Sequence, residues 1–498
     1  MKLKSNSVTK DMVQKIFFCV LICLSAKEGV AKDFLITDFG AKPGVDELNT
    51  IPINDAIDAC YKNGGGRVIV PAGIFKTGTL VLKDNVELHL EIGSVLFASI
   101  NRQDFPLQPQ PIYHSLKDAG GWRALIYALG ASHIAITGYG TIDGNGANLL
   151  PGPGARPNDL DGRPRNILFI SCKNIAVEGV HMRNSGIWNQ HYLDCEDVVV
   201  DKINVYNHAN RNNDGIDIDG CRRFILSNSV FDTDDDAVCL KSTGPAPCED
   251  VVITNCIVSS FCNAIKTGTE STGGFKNISI SNCVIKPSRA AKRLFGDSLG
   301  ITGISLEIVD GGIMDGINVS NIVIEGTQCP IYVRLGNRAR KYNKEAPTPP
   351  PGQMRNIQIN NVTAYTTGNY SSSITGVKGA IIENISLDNI RITNAGNIKP
   401  GEYRPDYSKV KEDEKGYPQP TVWGNLPSYG FFIRHVKGIS LSNVTLSSVA
   451  PDLRFPIIAV DVENLLINHI SLNKKNSKID ILLNDVKNYK IDNRAINL

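Results

Sequence analysis

The chain has 498 residues, of which 42% are hydrophobic and 20% charged, as is usual for a globular protein. Its formal charge of +2 lacks the basic excess that nucleic-acid-binding surfaces require, so we expect no nucleic-acid partner. The 45 glycines and only 16 phenylalanines favour many turns and short strands.

The first 31 residues have the layout of a secretory signal peptide. Four lysines precede an apolar run over 16–24, and small residues follow at Gly29-Val30-Ala31. The run is too short to span a bilayer. An uncleaved anchor and a lipidated Cys23 are the alternatives, although Ile22 is large for a lipidation site. We expect a signal peptide over 1–31 and one catalytic domain over 32–498, secreted or periplasmic, without a membrane span.

A repeat of the form apolar-x-Asn-apolar runs through the rest of the chain, as in Cys172-Lys173-Asn174-Ile175. Its first positions form one column of residues, spaced at 23 to 28 residues where the repeat is tightest, and a second column lies eight residues later. Between them apolar and polar residues alternate, which indicates a half-buried strand. Short strands at a fixed spacing are typical of a solenoid. We therefore predict an all-β fold, a single-stranded right-handed parallel β-helix of about ten or more coils. The first column is Ala131, Cys172, Cys195, Cys221, Cys248, Phe275, Met314, Met354, Ile382, Val436, Val462 and Val486.

Ten cysteines follow the predicted signal, and six of them occupy these columns, where other coils carry Val, Ile or Met. A free cysteine behaves there as a small hydrophobic residue. We predict mostly free, buried thiols, with one or two disulfides, involving Cys239 and Cys262, as the alternative.

Coils of 39, 40 and 54 residues carry insertions, which in a solenoid gather on one face as loops. The largest, with its core at 398–428, contains Trp423 and three tyrosines, and earlier insertions lie at 101–123 and 147–165. We expect these loops to form a cleft in which Trp423 stacks on a sugar. Anchoring of the loop is the alternative role for such aromatic rings.

Three carboxylates are predicted to converge at one strand edge. Aligning the strands 215–218 and 237–240 places Asp214 and Asp236 at equivalent positions on consecutive coils, with Asp235 beside them. Like charges at one place oppose each other's ionisation, which can keep one carboxyl protonated. Glycosidic hydrolysis needs such a proton donor together with an ionised carboxylate. A calcium site or a solvated acidic turn is the alternative.

These motifs resemble those of glycoside hydrolase family 28, the polygalacturonase family. Residues 212–217, Asn-Asn-Asp-Gly-Ile-Asp, resemble its Asn-Thr-Asp-Gly motif, and residues 235–241 resemble its Asp-Asp-Cys-Ile-Ala-Ile-Lys motif. The resemblance implies an inverting hydrolase of galacturonate-containing chains, with no metal or cofactor. It assigns the general acid to Asp235, and the holding and deprotonation of the attacking water to Asp214 and Asp236.

Two departures from the family pattern bear on the substrate. The family's Gly-His-Gly motif aligns with Cys262-Asn263-Ala264, and its carboxylate-binding Arg-Ile-Lys motif aligns with Ser305-Leu306-Glu307. Rhamnogalacturonan hydrolases of the family also lack that histidine. The resemblance therefore favours rhamnogalacturonan or substituted pectin over plain polygalacturonate.

The candidate substrate-binding residues combine matched motif positions with replacement cations. Arg334 has neutralisation of Glu307 as its alternative role. We expect a monomer acting on an acidic plant-type polysaccharide, and a polysaccharide lyase or a non-catalytic carbohydrate-binding β-helix remain the competing functions. The candidates, besides Trp423, are His191, Asp217, Lys241, Asn263, Lys266 and Arg334.

Overall fold

The computed structural model describes residues 32–109, 122–150, 162–473 and 480–497, so the predicted signal peptide lies outside it. Within these ranges the chain forms 32 strands, numbered β1 to β32 in chain order, whose pairings are parallel and join each strand to its equivalent one coil later. The strands stack into three ladders that wind around a common core. The predicted right-handed parallel β-helix is confirmed.

The first ladder carries the site. Its strands are β4 (Leu80–Val81), β7 (Ala124–Leu129), β10 (Arg165–Ile170), β13 (Gln190–Leu193), β16 (Ile216–Asp219), β19 (Val238–Ser242), β22 (Asn263–Ser271), β24 (Thr302–Ile308), β26 (Cys329–Leu335) and β28 (Ser372–Thr375). Three long strands then run through all three ladders: β30 (Ser428–Ser448), β31 (Phe455–Asn473) and β32 (Leu482–Asn497).

The second ladder begins with β1 (Lys32–Leu35), β2 (Gly66–Val70), β5 (Val86–Leu90), β8 (Ser132–Gly138), β11 (Lys173–Glu178), β14 (Glu196–Asp201), β17 (Arg222–Ser227) and β20 (Cys248–Thr254). The third begins with β3 (Gly73–Thr77), β6 (Ser94–Ala98), β9 (Thr141–Asp143), β12 (His181–Arg183), β15 (Asn204–Asn207), β18 (Val230–Thr233) and β21 (Ile257–Ser260). Four strands continue from the second into the third: β23 (Gly274–Lys286), β25 (Ile313–Glu325), β27 (Gln353–Thr367) and β29 (Ile382–Asn394).

Helical structure is limited to one α-helix and five short 3-10 segments in the described part of the chain. Helix α1 (Thr50–Lys62) turns Ile53, Ala56, Ile57 and Cys60 inward at helical spacing, and thereby covers the first coil of the core. No helix in the described ranges is long and apolar enough to cross a membrane. The 3-10 segments are Ile36–Phe39, Arg102–Asp104, Gly146–Asn148, Tyr407–Lys409 and Pro420–Val422.

The two predicted columns are stacks in the core. The pairing register carries the first column from Cys172 through Phe275 to Val486, and its members up to Val462 are buried. Two residues after the first column the backbone turns with positive φ, a conformation that Asn tolerates well. The Asn side chains there bond from coil to coil, as Asn384 Nδ2 does to Asn356 Oδ1 at 2.6 Å. The recurring asparagine of the sequence is therefore a turn residue.

All ten described cysteines are free and buried. Six of them pack in the two columns, including the consecutive stack Cys172, Cys195, Cys221 and Cys248. Cys239 and Cys262, the candidates for a disulfide, are also unpaired in the structure.

Two of the insertions lie along opposite edges of the first ladder. The loop 336–352 follows β26 at the carboxyl end of that ladder, and the loop 395–427 precedes β30 at the amino end. Asp214, Asp235 and Asp236 precede β16 and β19, at the amino end of the ladder. Residues of both loops line one cavity together with these carboxylates.

Candidate active site

The three predicted carboxylates converge. One oxygen from each of Asp214, Asp235 and Asp236 lies within 4.8 Å of the others. The Gly215 N–H donates to the Asp236 carbonyl at 3.0 Å, which fixes Asp214 and Asp236 as neighbours on consecutive coils. A Cβ on Gly215 would lie 2.5 Å from the Ala237 carbonyl oxygen, so only glycine permits this approach. The alignment of the two motifs is confirmed.

Protonation differs among the carboxyls because their surroundings differ. Burial, followed by repulsion from Asp236, raises the pKa of Asp235 to about 6. Burial, followed by the charges of Asp217 and Asp235, raises the pKa of Asp214 well above its usual range. Asp235 is the one member of the group that is more than marginally exposed. It therefore combines a retained proton with access to the solvent side.

Asp236 is held as a hydrogen-bond acceptor. Asn263 donates to Asp236 Oδ1 from Nδ2 at 2.5 Å and from its backbone N–H at 3.2 Å, and Lys266 Nζ lies 3.0 Å from Oδ2. Thr302 Oγ donates to Asn263 Oδ1 at 2.6 Å, which fixes the amide orientation. Asn263 and Lys266, expected to contact substrate, thus contact Asp236.

A cavity of about 470 Å³ opens over the carboxylates. Strand β19 and its neighbours form its floor, and the two insertion loops form its walls. Among the predicted substrate-binding residues, only Lys241 lines it. The lining consists of Trp188, Asn212, Asp214, Asp235, Asp236, Lys241, Thr269, Glu270, Arg338, Arg340, Lys415 and Tyr417.

Two cations of the cavity are compensated around one carboxylate. Lys241 Nζ lies 3.5 Å from Glu270 Oε2, and Arg340 pairs with Glu270 Oε1. Burial alone would raise the pKa of Glu270, but Lys241 and Arg340 lower it well below its usual range. Lys241 also lies over the Trp188 ring, 4.7 Å from its centroid. Both cations therefore already have a carboxylate partner.

The remaining two cations differ in availability. Arg338 forms a two-pronged pair with Asp310, with Nε 2.9 Å from Oδ1. Lys415 is exposed and makes no hydrogen bond or ion pair with any residue that the structure describes. Lys415 is thus the cavity cation with an uncommitted charge.

The expectation that Trp423 stacks on a sugar is not supported. Trp423 is buried, its Nε1 donates to the Lys411 carbonyl at 3.1 Å, and the Arg334 guanidinium lies 5.1 Å from its ring centroid. It anchors the loop, which was the alternative. The aromatic ring that the loop presents to the cavity is Tyr417, which is 51% exposed.

Arg334 has neither of its two expected roles. It is buried and donates to backbone carbonyls, at 2.7 Å to Glu412 and at 3.3 Å to Gly376. Its place is one coil beyond Glu307, as the register predicted, but its guanidinium turns to the loop instead. Arg434 donates a hydrogen bond of 2.8 Å to the Val410 carbonyl in the same loop segment. Both arginines hold the backbone of the segment 410–413, which precedes Lys415 and Tyr417 in the chain.

His191 and Asp217 lie beneath the cavity and do not line it. His191 is fully buried, 3.1 Å from Asp219 Oδ2 and edge-on to Trp188, with ring centroids 5.1 Å apart. Asp217 is buried 3.5 Å from Lys241 Nζ. Both expectations of substrate contact are therefore corrected: these side chains support Trp188 and Lys241 from below.

The sequence reasoning missed Glu270, Arg338, Arg340 and Lys415. Arg338 and Arg340 fall within the coil of 40 residues, and Lys415 within that of 54, so the irregular spacing was the available signal. Of the earlier insertions, Arg163 donates to the Arg211 carbonyl at 2.7 Å, while Arg156 lies outside the described residues.

Comparison with known proteins identifies the family. The model of glycosyl hydrolases family 28 matches residues 60–409. A probable polygalacturonase of Vitis vinifera is 28% identical over 278 residues, which cover 52% of this chain and 56% of that protein, so the match spans little more than half of the relative. An exo-poly-alpha-D-galacturonosidase of Dickeya chrysanthemi is 24% identical, with 75% and 70% covered.

Solved structures show the same fold. A family 28 exopolygalacturonase of Yersinia enterocolitica has a TM-score of 0.67 at 20% identity, covering 93% of this chain and 78% of that one. A hyperthermoactive exopolygalacturonase from Thermotoga maritima has a TM-score of 0.59 at 23% identity, with 73% and 87% covered. The family match covers well more than half of the chain, and this chain therefore belongs to glycosyl hydrolases family 28.

Proposed function

We propose that this enzyme hydrolyses a galacturonate-containing linkage in a pectic polysaccharide. The observation that carries the proposal is the convergence of Asp214, Asp235 and Asp236 within 4.8 Å on the floor of a cavity. The relatives named polygalacturonase and exo-poly-alpha-D-galacturonosidase support pectin as the substrate class. We also propose a monomer that acts outside the cytoplasm, where such polymers occur.

In the proposed mechanism Asp235 is the general acid. Its raised pKa, about 6, keeps the proton on its carboxyl in mildly acidic solution, and its partial exposure lets it reach the glycosidic oxygen. Asp236, oriented by Asn263 and Lys266, would share the attacking water with Asp214 and deprotonate it. Leaving-group protonation and water attack then occur in one displacement.

We propose inversion of configuration on the family resemblance. Nearest carboxyl oxygens within 4.8 Å are closer than the separation of about 6.5–9.5 Å between the carboxyl groups of most inverting enzymes. A water shared by Asp214 and Asp236, beside the acid, fits this crowded arrangement because those two residues are stacked on consecutive coils. Carboxyl separation alone would favour retention, so the anomer of the first product decides between the two.

The cavity wall favours a substrate in which uronate and neutral sugars are combined. Ser305 and Glu307, which replace the family's paired cations, are buried and bonded to each other at 2.6 Å. Lys241 and Arg340 already share the carboxylate of Glu270. The Glu270 cluster presents both donors and acceptors to sugar hydroxyls, and both of its cations already have a carboxylate partner.

Lys415 is therefore the proposed partner of a uronate carboxylate, and Tyr417 the proposed stacking surface. One uncommitted cation suits an alternating or branched chain better than a row of adjacent uronates. We accordingly propose rhamnogalacturonan or a substituted pectin over plain polygalacturonate.

The test is a comparison of kcat/KM on defined rhamnogalacturonan, branched pectic and unsubstituted galacturonate oligosaccharides. We expect hydrolysis, with the smallest kcat/KM on the unsubstituted series by about tenfold or more, the value of one charge-assisted contact. An ultraviolet-absorbing unsaturated product would indicate a lyase, and tight binding without turnover a binding module. Preference for the unsubstituted series would refute the proposed substrate.

A further inference from the structure

Lys266 is a buried lysine whose ammonium group touches the catalytic floor from behind. Its side chain is 1% exposed, and Nζ lies 3.0 Å from Asp236 Oδ2 and 3.2 Å from the Tyr417 hydroxyl. The Tyr417 ring lies over it, with the centroid 5.2 Å from Nζ. Protein atoms therefore surround the ammonium group, and it has no face open to a sugar.

The charges around Lys266 come from several elements. Asp236 precedes β19, Glu307 lies on β24 and Tyr417 on the loop 395–427, while Cys239 pairs in register with Lys266. Burial alone would lower the pKa of Lys266, but these groups, Asp236 foremost among the residues with opposite charge, raise it. The lysine is thus held as a cation.

Glu307 does not neutralise Lys266 through a contact. Its Oε1 accepts from Ser305 at 2.6 Å, its Oε2 is buried without a hydrogen-bond partner among the described residues, and burial raises its pKa to about 7. In mildly acidic solution Glu307 is therefore mainly protonated. Among the described residues, Asp236 is then the only carboxylate in contact with Lys266.

We propose that Lys266 is a positioning residue that fixes Asp236 as an oriented anionic base through a buried ion pair, and that it does not bind substrate. The arrangement is built for this: Asn263 holds one oxygen of Asp236 and Lys266 the other, so the carboxylate cannot rotate. Asp235 Oδ1 accepts from the Asp236 N–H at 3.0 Å, so the proposed acid is held beside the proposed base.

A positioning role predicts that loss of the Lys266 charge lowers kcat and leaves KM nearly unchanged. Lys266→Met keeps the length of the side chain and removes the charge. We expect kcat to fall about 10–100-fold, as for loss of one charge-assisted hydrogen bond, with KM within about threefold. Lys266→Arg, which keeps the charge, should restore kcat to within about threefold of wild type.

Two controls isolate the role. Lys286→Met removes a surface ion pair with Glu325, 3.4 Å long, and should leave kcat and KM unchanged. In the Asp235→Asn background, adding Lys266→Met should leave the dissociation constant for substrate within about threefold, since no substrate contact is lost.

The inference rests on the proposed role of Asp236, but different results would contradict the inference and the proposed function. Retained activity of Asp235→Asn would contradict the proposed function. The inference is overturned if Lys266→Met raises KM or the dissociation constant about tenfold with kcat unchanged, or leaves kcat within about threefold of wild type. Should Lys266→Met not fold by circular dichroism, Lys266→Gln replaces it, and failure of both to fold would assign Lys266 to stability and equally overturn it.

Discussion

Glu307 is a buried carboxyl whose replacement should change how stability depends on pH. It stands where the family pattern has a cation, is 0% exposed, and leaves Oε2 without a hydrogen-bond partner among the described residues. Burial is the largest cause of its raised pKa, only partly opposed by Lys266 and Ser305. Glu307→Gln keeps the volume and the Ser305 contact while removing the ionisable group.

The size of the expected change in stability follows from the pKa shift of Glu307. The pKa of Glu307 rises from 4.5 to about 7, and each pKa unit corresponds to about 1.4 kcal/mol, so the difference is about 3 kcal/mol. Because the folded state binds the proton more tightly, this contribution is present below pH 4.5 and is lost as the pH rises to about 7. The free energy of unfolding of Glu307→Gln, relative to that of wild type, should therefore rise by about 3 kcal/mol between pH 4 and pH 8.

Urea denaturation of both proteins at pH 4, 6 and 8 measures this difference in free energy of unfolding. Glu383→Gln, on the exposed side of β29, is the matched control and should run parallel to wild type. Parallel curves for Glu307→Gln and wild type would refute the reasoning, because they would show that Glu307 ionises freely inside the fold.

Three further predictions concern the site and the core. Asp235→Asn should lower kcat by about 10²–10⁴-fold at an unchanged melting temperature. Wild-type activity should decline above pH 6 as Asp235 ionises. If Asp235→Asn kept activity within a few-fold of wild type, Asp235 would not be the acid. Lys415→Met should raise KM for uronate-containing oligosaccharides about tenfold. Lys411 is exposed on the same loop but lies outside the cavity, so Lys411→Met should leave KM unchanged. Equal KM values for the two variants would exclude Lys415 from substrate binding. Thiol titration of the denatured protein without residues 1–31 should find most of the ten cysteines free, and four or five disulfides would contradict the stacked-thiol core.

Much of the fold could be predicted because a solenoid repeats its local rules. Each coil needs an inward apolar residue at the same position and a turn residue that tolerates positive φ, so Cys172 and Asn174 reappear as equivalent residues on later coils. The same register placed Asp214 beside Asp236, since strands in successive coils align residue by residue. Local sequence was sufficient for both.

The insertion loops could not be predicted in the same way, because contacts far apart in sequence determine their conformation. Arg334 donates to the carbonyl of Glu412, 78 residues away, and Trp423 is turned inward by the Lys411 carbonyl. Every residue has a backbone carbonyl, so the sequence does not show which carbonyl a side chain will contact. The sequence therefore could not distinguish a buried anchoring role for Trp423 from an exposed stacking role. The pairing of Lys266 with Asp236 likewise depends on side-chain direction and not on register.

The most direct test of the proposed chemistry is proton NMR of the first product formed from the pectic oligosaccharide that the enzyme cleaves fastest. The account predicts a new saturated reducing end whose anomeric configuration is opposite to that of the cleaved bond, with Asp235→Asn inactive in the same assay. A first product with retained configuration would contradict the assignment of Asp214 and Asp236 to an attacking water. An unsaturated product would contradict hydrolysis itself.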